Sequence, residues 1–75
     1  MVINMILNAV IEKDEFGYFA QIHELKGCVT QGKTYEEALF NIKEAAELYI
    51  ESMQSEELKA FENRSVSITP IEIHA

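Results

Sequence analysis

Glu12, Asp14 and Glu15 form the one tight carboxylate cluster of this chain outside its helical half. Such a cluster could hold a divalent metal, and paired metals could drive phosphodiester hydrolysis. That chemistry needs carboxylates converging from different strands, whereas these three follow one another through a single turn. They read as solvated turn residues. His23 and His74 are the only histidines, and no Ser, Cys or Asp stands by motif to build a triad around either. His23 reads as a surface residue. Cys28 is the single cysteine, which rules out an intramolecular disulfide. Beside Val29, it reads as a buried small hydrophobe. No phosphate loop, zinc-ligand spacing or nucleophile elbow is present. No catalytic, cofactor-binding or metal-ligating residues are therefore assigned, and the chain is not expected to be an enzyme.

Bulk properties narrow the remaining classes. At 75 residues the chain makes one domain, residues 1–75. Chains this short bury only about 60% of their unfolded surface, so oligomerisation is a natural supplement to a thin core. Apolar residues at 48% and charged residues at 25% give an ordinary globular composition. No apolar run approaches the ~20 residues of a membrane span. The first eleven residues lack a basic leader and a cleavage site, so a cytoplasmic protein is expected. Thirteen carboxylates against six Lys and Arg leave a net charge of −7. Phosphate neutralisation needs a basic cluster that this chain lacks, so direct nucleic-acid binding is not expected. An acidic surface suits a basic protein partner, whose approach it accelerates.

The elements that position these residues follow from periodicity. Residues 2–12 alternate: Ile3, Met5, Leu7, Ala9 and Ile11 make an apolar face, and Val2, Asn4, Ile6, Asn8, Val10 and Glu12 a mixed one. This predicts a strand with its odd face in the core. Asp14-Glu15-Phe16-Gly17 reads as a hairpin connection, residues 18–23 as a second strand, and residues 28–32 as a short third. Thr34 and Glu37 fit a capping box, with the Glu37 carboxylate reaching back to the N–H of Thr34, and Gly32 supplies φ freedom for the turn before it. From Thr34 the apolar residues take helical spacing to about residue 54. Residues 55–64 are ambiguous, since Leu58 and Phe61 suit either a short helical turn or a pinned loop. Residues 65–73 are β-branched and read as a last strand, with Pro70 favouring an edge.

The expected class is α+β, a single β-β-β-α-β domain. A right-handed crossover puts the last strand beside the first, giving sheet order 3-2-1-4 with one helix on one face. Two surfaces stand out. Phe40 and Leu48 point away from the apolar stripe of the helix, Phe40 among Glu36, Lys43, Glu44 and Glu47, and Glu36, Phe40, Glu44, Glu47 and Glu51 make a candidate partner-binding face. Cover by residues 55–64 is the alternative for Phe40. One helix also leaves a sheet face bare, so Ile6, Val10 and Phe19 are candidate self-association residues for a dimer or higher homo-oligomer.

Gly17-Tyr18, Leu25, Gly27-Cys28, Thr30-Gln31-Gly32, Thr34 and Glu36-Glu37-Ala38-Leu39 occur in an order and spacing that resemble the HicB antitoxin family. Departures are His23 and Lys26 in places where proline is usual, and Lys33 in place of aspartate. The resemblance covers about residues 5–54. It implies a fold that is part of an RNase H fold and a partner that is a small basic HicA-like RNA-cleaving toxin. Family members that repress their own operon carry a further DNA-binding module, and these residues leave no room for one. The expected function is that of an antitoxin-type protein that sequesters such a toxin. The alternative is an orphan oligomeric structural or regulatory adaptor without a toxin. A metal-dependent nuclease built on Glu12, Asp14 and Glu15 is a distant third.

Overall fold

The computed structural model describes residues 5–62 and 64–75. Three strands, β1 (Ala9–Asp14), β2 (Gly17–Ile22) and β3 (Val29–Gly32), precede two helices, α1 (Tyr35–Glu51) and α2 (Ser55–Glu62). The strands form an antiparallel sheet in the order β1-β2-β3. Register follows side-chain chemistry. Ile11 pairs with Ala20 and Ala9 with Ile22, and this face meets α1. Val10 pairs with Gln21 and Glu12 with Phe19, and their side chains point to the other face.

Ala20, Ile22, Leu25, Cys28, Ala38, Ile42 and Ala46 are buried together as the core. Leu7, Ile11, Tyr18, Tyr49, Met53 and Phe61 pack around it. Cys28 is buried as expected, and burial pushes its thiol pKa up, so the thiolate is disfavoured. Between β2 and β3 the chain turns tightly: the Leu25 N–H donates to the Ile22 carbonyl at 3.2 Å and the Cys28 N–H to the Leu25 carbonyl at 3.1 Å. Leu25 is thereby driven into the core.

The helix start forms through its cap. Thr34 Oγ1 accepts the Glu37 N–H at 3.0 Å. The Glu37 carboxylate accepts from the Lys33 N–H at 3.1 Å, one residue earlier than the capping-box expectation. Gly32 does not have a positive φ. Its lack of a side chain serves contact instead, because a Cβ there would lie 2.5 Å from the Ala38 nitrogen. Gly17 does take a positive φ, +136°, in the hairpin, where Asp14 Oδ1 accepts the Phe16 N–H at 2.8 Å.

Several expectations are corrected. The first strand begins at Ala9 and not at residue 2; positions 2–4 lie outside the described residues. Ile6 precedes the strand and is 91% exposed. Ala9, on the helix-facing side, is also exposed, at a β1 edge that no other strand among the described residues joins. The helix stops at Glu51, where Ser52 Oγ and N–H both donate to the Tyr49 carbonyl. A second helix follows, so the ambiguous stretch is α2, and Phe61 anchors it to the core. Residues 65–73 add no fourth strand among the described residues; the sheet has three strands and the expected order 3-2-1-4 is present only as 3-2-1.

A polar clamp lies just before β1. Asn8 donates its backbone N–H to Glu24 Oε1 at 2.8 Å and its side-chain amide to Oε2 at 2.6 Å. Burial raises the Glu24 carboxyl, but the two Asn8 hydrogen bonds, with the Glu24 backbone N–H and the neighbouring His23 charge, together outweigh it and hold the pKa below the ordinary carboxyl value. A depressed carboxyl stabilises the fold above its ordinary pKa, and the contribution disappears as the pH falls through the lowered one. Glu24→Gln is therefore expected to lower the Tm at neutral pH. The gap between wild type and variant should close as the pH is taken below the ordinary carboxyl range. Thermal melts across pH check this, and a gap that stays constant would remove the carboxylate from the account.

Candidate functional site

The outer face of α1 is built by the helix register. Glu36, Phe40, Glu44, Glu47 and Glu51 fall within an arc of about 80° at 100° per residue, opposite the buried Ala38, Ile42 and Ala46. All five are exposed. Phe40 is 67% exposed, so α2 does not cover it, and Leu48, two turns further along the helix, is 62% exposed. Two large apolar side chains thus stand in water on a ridge whose charge is carried by glutamates, with Lys43 at its margin.

The charge on this ridge does not serve the helix uniformly. Glu36 and Glu37 in the first turn complement the positive end of the helix dipole, but the last turn holds no basic residue. Glu51, the last residue of α1, sits where the dipole disfavours an anion, at a cost of about 0.3–1 kcal/mol. Local helix stability therefore does not explain an acid at that end.

A second feature flanks the ridge. Between β1 and α1 lies an open groove of about 540 Å³ with an apolar floor that includes Met5, Leu7, Ala9, Leu39, Ala46 and Ile50. Its outer rim is made by Lys43, Glu47 and Glu51. This groove was not legible in the sequence, since Leu39 and Ile50 simply belong to the apolar stripe. It exists because α1 reaches past β1, where no further strand supports it.

The self-association residues are only partly brought together. Val10 and Phe19 share the sheet face away from α1, with Gln21 and Glu12 paired across from them. Ile6 is not on that face, because it precedes β1. Val29, opposite Gln21, joins the face instead. Its place is set by the β2–β3 register, which single-strand alternation did not reveal. Phe19 and Val29 are about half exposed.

The carboxylates considered for metal chemistry have other tasks or stay in solvent. Asp14 is committed to the turn, and Glu12 and Glu15 are exposed. Among the described residues no three His, Cys, Asp or Glu side chains converge on a point that could hold an ion. Also among the described residues, no helix is long and apolar enough to cross a membrane.

Residues 7–72 match a family model described as "HicB_like antitoxin of bacterial toxin-antitoxin system". The chain is 59% identical over 69 residues to a UPF0150 protein of Helicobacter pylori, covering 92% of this chain and 96% of that protein. A UPF0150 protein of Thermoplasma acidophilum is 44% identical over 72 residues, covering 95% of this chain and all of its own length. One from Synechocystis is 54% identical over 48 residues, 63% of this chain and 61% of that protein. No solved structure matches.

Proposed function

This chain belongs to the HicB-like antitoxin family of bacterial toxin-antitoxin systems, and on that premise we propose that it neutralises a small basic RNA-cleaving toxin of the HicA type by binding it along the outer face of α1. The observation that carries this reading is Phe40, exposed among Glu36, Glu44, Glu47 and Glu51. An aromatic side chain supplies a desolvated anchor, and surrounding charges supply orientation and encounter rate. A net charge of −7 works in the same direction over longer range. The chain acts as a stoichiometric binder and not as an enzyme, and its place of action is the cytoplasm, where such a toxin meets RNA. Toxin-antitoxin membership favours a toxin partner in general; the acidic ridge supports a basic one, and its HicA-like identity is what the family resemblance implies.

Titration calorimetry with a purified HicA-type toxin tests the reading, together with an RNA-cleavage assay of that toxin. Binding that weakens with added salt and abolishes cleavage at equal stoichiometry is expected. Saturating antitoxin with undiminished cleavage would overturn it. A partial RNase H-like fold belongs to the same proposal, supported by an antiparallel three-stranded sheet followed by a helix on one face.

The open sheet face favours a second reading, in which the domain is an oligomeric adaptor. Val10, Phe19 and Val29 form an apolar centre with Gln21, Gln31 and Glu12 around it. Phe19→Lys is expected to shift the protein to a smaller sedimenting species while its circular dichroism stays native, because the core face is untouched. An unchanged sedimentation coefficient would remove this face from the assembly.

A further inference from the structure

We propose that residues 65–73 of a second copy of this chain lie along the outer edge of β1 and fill the groove between β1 and α1, so that two copies exchange these segments reciprocally. The acceptor is visible in the backbone. The Asn8 carbonyl accepts the His23 N–H at 2.9 Å, so the alternation of an antiparallel ladder turns the main-chain groups of Ala9, Ile11 and Lys13 outward, to an edge with no partner strand among the described residues. Behind that edge lies the apolar floor formed by Leu7, Ala9, Leu39 and Ile50. A strand added there would satisfy the edge and cover the floor together.

The donor is equally specific. Val66, Ile68, Ile71 and Ile73 make residues 65–73 a β-branched segment, yet it pairs with nothing among the described residues. Ile68, Ile71 and Ile73 are 60%, 77% and 74% exposed. Pro70 cannot donate to a ladder and suits the outer strand of a sheet. Ser65 and Val66 start beside Leu7 and Asn8, but the segment does not fold back over its own edge. The chain has a radius of gyration of 14.2 Å and a long axis of 43 Å, against roughly 11 Å for a compact chain of this length. That is the form of a body with an arm. Because every copy carries the same donor and the same acceptor, a two-fold exchange leaves no groove open and closes at two copies.

Two variants test this, Ala9→Cys and Ile68→Cys, each adding one exposed thiol while Cys28 stays buried. Mixed and treated with a short bismaleimide, they are expected to give a covalent dimer whose peptide map joins position 9 to position 68. The double variant should likewise run as a cross-linked dimer. A double variant that links only within one chain would place the segment on its own β1 and overturn the exchange. Sedimentation of a chain ending at Arg64 is expected to show the loss of one two-fold association step with the helical circular dichroism retained. An assembly unchanged by that deletion would overturn the proposal, as would a full-length chain that is monomeric at tens of micromolar. Should the deletion unfold the domain, the cross-link alone decides. Phe19→Lys, on the opposite sheet face, is expected to leave the cross-link in place, and its disappearance in that variant would move the contact to the open face.

Discussion

Replacing Phe40 with alanine is expected to weaken binding of the basic toxin roughly 30-fold, the equivalent of the ~2 kcal/mol that marks an interface anchor. The fold should not change. Phe40 is 67% exposed, so its removal opens no cavity, and surface substitutions of this kind stay within about 0.5 kcal/mol. Phe16 is the control, since it is 88% exposed at the β1–β2 hairpin and is not part of the Phe40 ridge. Phe16→Ala should leave affinity unchanged. Charge reversal on the same ridge separates attraction from anchoring. Glu51→Lys places a cation at the C-terminal end of α1, where the dipole favours it, so stability should hold or rise slightly while toxin association slows and loses salt dependence. Calorimetry and stopped-flow association measure the two effects. Full affinity in Phe40→Ala would show that the toxin docks elsewhere.

Gly32→Ala is expected to cost ~1–3 kcal/mol of stability, the range for overpacking a filled site. Gly32 has no positive φ, so the backbone itself would accept alanine. Reduced unfolded-chain entropy would even favour the substitution, by about 0.4–1 kcal/mol. Contact decides the sign. The added Cβ would meet the Ala38 nitrogen at 2.5 Å, and the Ala38 Cα and Glu37 carbonyl carbon at 3.0 Å, all of them backbone. Backbone cannot swing aside as a side-chain tip can, so the first turn of α1 must move off β3. That turn carries the Thr34 and Glu37 cap hydrogen bonds and the fully buried Ala38. At about 4–8 °C per kcal/mol for a domain of this size, the change is easily read in a thermal melt. A Tm equal to or above wild type would show that the helix start yields at little cost.

Local pattern made much of this protein legible. Alternation in residues 18–22 sets β2 with Ala20 and Ile22 inward. The apolar stripe from Tyr35 onward sets α1 with Ala38, Ile42 and Ala46 inward and Phe40 outward. The Thr34 cap begins the helix where its spacing with Glu37 says it should. These features depend on neighbours a few residues apart, and such neighbours are contained in the sequence itself. The family pattern was carried by the same residues, because most of them specify the strand, turn and cap that every member must form.

Contacts between distant residues were decided only in three dimensions. Asn8 looked like an interruption in an apolar strand, and its role is to clamp Glu24 sixteen positions away. Val29 was assigned to no face by the sequence, and the β2–β3 register turned it to the open one. Gly32 read as a turn residue needing special φ, and its real constraint is the approach of Ala38. Residues 65–73 have strand-forming composition, but a strand exists only where an edge receives it, and among the described residues of one copy none does. Composition and periodicity determined which faces are apolar and acidic. Tertiary packing alone decided which of those faces were covered, since burial depends on what the rest of the chain brings against them.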